Sequence, residues 1–262
     1  MFKYFLLVAN LLCKKYIVIS QIPANTVSFV TENTYIIGDL RYDIVESEEI
    51  TLSEHILSIE EDKPISLDAY NLQKDPIWNL DRIDQRSNKL NSMYFYHDLA
   101  GSGVWNYVLD TGIWVNHPEF EGRAQWGINV ADNESQEGCM HPHGTHVAGT
   151  IGSKTYGVAK NTSLVSVKVL GCDGSGSMSN IIKALSWVAS QDKKKKVINM
   201  SLGGGSSMAI NSAVEQISKM GVIVVVAAGN ENSDACYGSP SSSPYAITVG
   251  AINKVTSVAS FS

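Results

Sequence analysis

From residue 104 onward, short apolar runs alternate with longer segments whose apolar residues recur at helical spacing. Residues 104–110 read as a strand ending in Asp-Thr-Gly, and 143–153 as a helix of small residues. Residues 164–170 alternate apolar and polar positions. Residues 179–190 place Ile181, Ile182, Leu185 and Val188 at helical spacing, and 197–202 form a strand running into Gly203-Gly204-Gly205. Residues 208–220 are helical, with Ala209, Ala213, Ile217 and Met220 on one side. Residues 222–228 are apolar at nearly every position, and 245–249 make one more strand. Apolar strands separated by helices predict an α/β fold with a parallel sheet covered on both faces.

The first quarter of the chain is patterned differently. Residues 15–20 are a short strand candidate, 34–46 contain another, and 48–62 are acidic with helical character. This small α+β pattern has too few apolar residues to stand easily alone. Pro76, Trp78 and Asn79 open the larger region, and charge sharpens the division. Residues 1–68 carry five Lys/Arg against eleven Asp/Glu, whereas the remainder carries fifteen of each. A domain boundary is therefore expected near residue 70. The neutral larger region gives no electrostatic reason to bind nucleic acid. Its one basic run, Lys193 to Lys196, reads as a solvated helix end.

An apolar content of 44% with 18% charged residues excludes a wholly disordered chain. The longest strongly apolar run, residues 5–13, is far short of the roughly 20 residues that span a membrane. With Lys3 before it, that run resembles a secretory signal occupying residues 1–20, cleaved between 13 and 20. Val18-Ile19-Ser20 fits a cleavage site better than Leu11-Leu12-Cys13 does. The other reading is a buried first strand of a cytosolic protein. Cys13 lies in or beside the signal, which leaves Cys139, Cys172 and Cys236, an odd number, in the larger region.

Chemistry in a parallel sheet collects where strands end and loops begin. Asp110, His143 and Asn230 sit at such positions. Histidines 141, 143 and 146 also match the first-ligand spacing of dinuclear metallo-β-lactamases, which would make a metal-dependent hydrolase. That pattern carries Asp before its last histidine, where this chain has Thr145. The remaining histidines, His55, His97 and His117, all lie upstream.

A serine-hydrolase reading absorbs more of the sequence. Val108-Leu109-Asp110-Thr111-Gly112, His117-Pro118-Glu119-Phe120 and His143-Gly144-Thr145-His146-Val147-Ala148-Gly149-Thr150 occur in order. They are followed by Tyr156-Gly157-Val158-Ala159-Lys160, Val167-Lys168-Val169-Leu170, Gly174-Ser175-Gly176-Ser177, Ser201-Leu202-Gly203-Gly204 and Ala227-Ala228-Gly229-Asn230. From about residue 76 to 262 the chain resembles the subtilisin-like serine proteases, peptidase family S8, and within them the proteinase K branch. The resemblance implies a subtilisin-like three-layer α/β fold in residues 70–262, preceded by an inhibitory prodomain in residues 15–69. That prodomain is expected to leave by self-cleavage near residue 70.

By the same resemblance Asp110 is the triad acid and His143 the general base. Asn230 donates to the oxyanion. Gly174, Ser175 and Gly176, with Ser201, Leu202 and Gly203, pair with an extended substrate backbone, and Ala227, Ala228 and Gly229 line the primary specificity pocket. Cys139 and Cys172 are expected to form a disulfide closing a loop of about 34 residues, worth about 3–4 kcal/mol in chain-entropy terms. Cys236 is left without a mate. No metal or cofactor serves catalysis, although calcium, through ligands the sequence does not identify, is a possible structural ion. The partners implied are peptide or protein substrates and the chain's own prodomain, and the location implied is the secretory pathway.

The third triad member is missing. In this family the order is Asp, His, Ser, and the serine lies in a Gly-Thr-Ser-Met-Ala segment after the Ala-Ala-Gly-Asn motif. Residues 1–262 contain no such segment, and Gly176-Ser177-Met178-Ser179 precedes Asn230. These 262 residues are thus expected to be inactive by themselves and to leave apolar sheet surface uncovered. A non-catalytic decoy or peptide-binding module on the same scaffold is the alternative, but such a module has no physical need for Asp110, His143 and Asn230 together.

Overall fold

The computed structural model describes residues 14–21, 31–47, 54–63, 70–132 and 141–262. The chain divides into two compact units, residues 1–67 and 68–262.

In the first unit, β1 (Lys14–Gln21), β2 (Thr31–Ile37), β3 (Leu40–Ser47) and β4 (Ile56–Glu61) form an antiparallel sheet in the order β2-β3-β1-β4. Alternation sets its faces: Val18 on β1 and Val45 on β3 are buried. Two expectations change here. Residues 34–46 hold parts of two strands, because Gly38, at φ +62°, turns the chain back on itself. Residues 56–61 form a strand instead of a helix. Ile59 pairs with Val18, so cross-strand pairing outweighs local helical character. Residues 48–53 lie outside the described residues, as do 1–13. Because β1 runs between β3 and β4, cleavage after Ser20 would remove a central strand. Only the early end of the 13–20 range leaves the sheet intact.

The second unit begins with β5 (Tyr70–Lys74), α1 (Trp78–Ile83) and β6 (Met93–His97), in which β5 and β6 pair antiparallel. The main sheet follows: β7 (Trp105–Asp110), β8 (Ala124–Asn129), α2 (Pro142–Gly152), β9 (Ser163–Lys168), α3 (Met178–Ser190) and β10 (Lys196–Met200). It is completed by β11 (Gly204–Gly205), α4 (Met208–Lys219), β12 (Ile223–Ala227), β13 (Gly238–Ser239) and β14 (Ile247–Val249), with β11 and β13 forming a separate two-stranded pair. Six parallel strands take the order β14-β12-β10-β7-β9-β8. The chain leaves β7 to one side for β8 and β9, then crosses to the other for β10, β12 and β14. The reversal opens a crevice beyond the carboxyl ends of β7 and β10, where α/β sheets hold their ligands.

One sheet face packs Leu109, Val167, Ile198, Met200, Val224 and Val226 against α3 and α4. The buried stripe of α4 is Ile210, Val214 and Ile217, with Ala213 only partly buried beside it. The expected stripe is thus rotated: Ala209 is exposed, and Met220, just past the helix end, points to solvent. The other face packs Val108 and Leu164 against Ala148 of α2.

That second cover does not reach β12. Val222, Val224 and Val226 are buried, but Ile223 is 52% exposed, and on neighbouring β14 Ile247 and Val249 are 57% and 51% exposed. The continuous apolar run thus behaves as an alternating strand within these residues. Among the described residues no helix is long and apolar enough to cross a membrane.

Candidate active site

The site starts at the end of β7. Asp110 is fully buried, and its Oδ1 accepts the Thr111 N–H at 2.7 Å. The Asp110 carbonyl accepts N–H bonds from Val169 and Leu170 at 2.9 and 3.2 Å, which fixes this strand end against the end of β9. Both carboxylate oxygens face the His143 ring, with Nδ1 at 2.8 Å from Oδ1 and 2.9 Å from Oδ2. With Nδ1 on the carboxylate, Nε2 at the far edge of the ring is left for the cleft, and the His143 side chain is 46% exposed.

The start of α2 is held to β7 by several polar ties. The Thr111 hydroxyl accepts the Gly144 N–H at 3.0 Å and donates to the His141 carbonyl at 3.0 Å. The Thr145 hydroxyl accepts the Trp114 N–H at 2.9 Å, and the segment after β7 is held in turn to β9, where Ser166 Oγ accepts the Ile113 N–H at 3.0 Å. Gly144 permits this approach. A Cβ there would sit 2.2 Å from the Gly112 carbonyl oxygen, so any larger residue would push the helix, and His143 with it, away from Asp110.

The three clustered histidines do not converge. His141 caps α2, its Nδ1 accepting the His143 N–H at 3.2 Å. His143 binds Asp110. His146 lines a separate cavity of about 830 Å³ with Trp114, His117 and Phe120. Among the described residues no group of three or more His, Cys, Asp or Glu side chains is placed to hold a metal ion. The three side chains thus face different surroundings: a helix cap for His141, Asp110 for His143 and the cavity for His146.

The remaining site residues fall around two adjoining clefts. His143, Gly174, Ser175, Gly176, Ser201, Leu202 and Gly203 line one of about 560 Å³. Ala227, Ala228, Gly229 and Asn230 line another of about 350 Å³, and residues 201–204 belong to both. The glycine-rich rim is a tight turn: Gly171 N–H donates to the Ser175 carbonyl at 2.7 Å, and Gly176 bridges Leu170. The Ser175 N–H also donates to Asp173 at 2.9 Å, which holds that carboxyl below its ordinary range. Past β12, Gly229 turns the chain at φ +115°, and the Asn230 N–H donates to Glu231 at 2.7 Å.

A carboxylate–imidazole pair at the switch point of a parallel sheet, beside two backbone-rich clefts, is the arrangement that comparison with known proteins decides. The Subtilase family profile matches residues 101–262. The chain belongs to the subtilase family. Among subtilases it is 51% identical over 195 residues to an "Extracellular serine proteinase" from Thermus sp., covering 74% of this chain and 47% of that protein. It is 47% identical over 227 residues to "Alkaline protease 1" of Aspergillus clavatus, covering 84% and 55%. The crystal structure of a cold-adapted subtilisin-like serine proteinase superposes with a TM-score of 0.69 at 47% identity, covering 72% of this chain and 68% of that one. The chain thus spans about half the length of these two relatives. The fold is the subtilisin-like α/β fold, preceded by a small antiparallel-sheet unit.

Cys172 is disulfide-bonded, and Cys139 lies outside the described residues. Cys236 is free and exposed. Thr111, Thr145 and Ser166 carry structural parts of the site that their motifs alone do not reveal. Their one signal in the sequence is a small hydroxyl residue within or opposite the Asp110 and His143 motifs.

Proposed function

We propose that the full-length protein is a secreted serine endopeptidase of the subtilisin type, in the proteinase K branch, made with an inhibitory prodomain that ends near residue 70. The observation that carries this reading is the buried Asp110 carboxylate, 2.8 Å from His143 Nδ1, at the sheet's switch point. In the proposed mechanism His143 Nε2 takes the proton of a serine hydroxyl as the oxygen attacks the peptide carbonyl. The buried Asp110 carboxylate stabilises the imidazolium that forms. The Asn230 amide donates to the oxygen that becomes negative, where a fixed donor stabilises the transition state more than the ground state. His143 then returns the proton to the leaving amine, and water releases the acyl group by the same route in reverse. The nucleophile is a serine outside residues 1–262. The rims at 174–176 and 201–203 offer backbone groups to an extended peptide, and residues 227–229 hold the side chain before the cut. No catalytic cofactor is called for. The relative from Thermus bears an extracellular name, and this agrees with the signal-like first residues.

The test is peptide hydrolysis by the full-length secreted protein. A serine-directed fluorophosphonate should abolish it, whereas activity lost to a chelator should return with calcium. Activity that ignores the fluorophosphonate contradicts the proposal. Mass spectrometry should place the mature N-terminus near residue 70, and a fully active form beginning before residue 40 contradicts the prodomain assignment. A peptide map without reductant should yield Cys139 joined to Cys172, and a different partner for Cys172 contradicts that pairing.

A further inference from the structure

Lys168 is the one charged residue in the alternating segment 164–170, yet only 1% of its side chain is exposed. A buried ammonium needs partners, because losing its water is costly. Among the described residues the Lys168 ammonium has three close ones on three separate segments, and two of those segments, at Thr111 and Leu170, line the cleft. Nζ donates to the Leu170 carbonyl at 2.6 Å, one residue before the glycine-rich rim begins. It reaches the Thr111 carbonyl at 3.4 Å, directly after the acid Asp110. It stands 3.6 Å from Asp132 Oδ2, on the stretch that follows β8. Lys168 also pairs with Asp110 in the β7–β9 register, and its stem runs beside Gly112 and the Trp126 ring. The ammonium is therefore fastened to the backbone on the acid side and on the substrate side at once.

We infer that Lys168 is a positioning residue that sets the acid–histidine pair and the substrate-pairing rim in register with each other. The inference rests on reading this cleft as a protease site. Backbone carbonyls carry the link, so a neutral side chain of similar length fills the space but leaves the Thr111 and Leu170 carbonyls without their shared donor, and only the N–H bonds of Val169 and Leu170 to the Asp110 carbonyl then limit drift between the two ends. Drift on the acid side misaligns His143 with the nucleophile. Drift on the rim side weakens pairing with an extended peptide. One substitution should therefore move both kinetic constants together.

The experiment uses the full-length enzyme carrying Lys168→Met or Lys168→Arg, with active sites counted by fluorophosphonate titration. Per titrated site, Lys168→Met should lower kcat about tenfold and raise KM for a tetrapeptide amide about threefold, since small displacements of catalytic groups cost that much. Lys168→Arg, which keeps a buried cation, should lie between Met and wild type. Wild-type constants per site, with merely fewer sites or a lower Tm, would overturn the inference by making Lys168 a stability residue only. Should Lys168→Met fail to accumulate, Lys168→Arg decides alone: a rise in KM of about twofold supports the link, because the guanidinium cannot reproduce the reach of Nζ to both carbonyls, and unchanged constants refute it. A wild-type enzyme that the fluorophosphonate does not label would instead refute the protease reading itself.

Discussion

Asp110 and Asn230 both stand at the carboxyl ends of strands of the same sheet, Asp110 as the last residue of β7 and Asn230 three residues past β12, yet they are held in opposite ways. Asp110 is fully buried, is bonded at both carboxylate oxygens and shares its strand end with β9. Asn230 is exposed; its backbone N–H meets Glu231, and its side chain bonds nothing among the described residues. The contrast follows from the work proposed for each. An acid that orients an imidazole must be fixed before substrate arrives. An oxyanion donor must keep its amide unspent until charge develops. The acid–histidine arm is therefore built from residues inside 110–170, whereas the Asn230 arm lies on the half of the sheet that has one open face.

The largest effects should come from the fixed arm. In the full-length enzyme, His143→Ala should lower kcat by about a millionfold and Asp110→Asn by about ten-thousandfold, the scale measured for triads of this kind, with KM little changed. Retention of more than about a hundredth of wild-type kcat by either variant would remove these residues from the chemistry. The free arm should cost less. Asn230→Ala should lower kcat by about 100- to 1,000-fold at nearly constant KM and Tm. A rise in KM without loss of kcat would make Asn230 a ground-state binding residue.

Gly144→Ala probes how the fixed arm is held. Its Cβ would lie 2.2 Å from the Gly112 carbonyl oxygen, so thermal or denaturant unfolding should reveal a loss of about 1–3 kcal/mol, with kcat falling as His143 shifts. Wild-type stability and kcat in this variant would mean that the helix start moves without cost.

The smallest effect concerns the substrate rim. The Ser175 N–H lowers the Asp173 carboxyl below its ordinary range. Its contribution is therefore fully present above the ordinary aspartate range and is lost only as pH falls through the lowered value. Between about pH 5 and 8 this group should leave KM constant, and Asp173→Asn should change KM less than about twofold at pH 7, since the carboxylate is solvent-exposed. A KM that rises from pH 7 to pH 5, with the rise absent in Asp173→Asn, would show that the turn depends on this group more than its geometry implies.

Much of this architecture is legible in the sequence because it rests on local signals. Apolar strands separated by helical spacing predict the parallel sheet, and Asp110, His143 and Asn230 stand at strand or helix ends where their motifs put them. Local pattern misleads where packing between distant segments decides. Residues 56–61 carry acidic, helix-compatible side chains, but pairing with β1 makes them a strand. The stripe of α4 is rotated because the sheet selects Ile210 and Val214 over Ala209 and Met220. His141 resembles a metal ligand by spacing, and its role as a helix cap emerges only once α2 begins at Pro142. Lys168 stands at a polar position of an alternating segment, where a lysine is ordinarily exposed, and the carbonyls that hold it buried are brought together only by the fold.

The most direct test of the central claim is to label the full-length protein with a fluorophosphonate and locate the adduct by mass spectrometry. The account predicts one labelled serine, in a Gly-Thr-Ser-Met-Ala segment beyond residue 262, with labelling lost in His143→Ala. A label on a serine within residues 1–262, or labelling that survives His143→Ala undiminished, would contradict it.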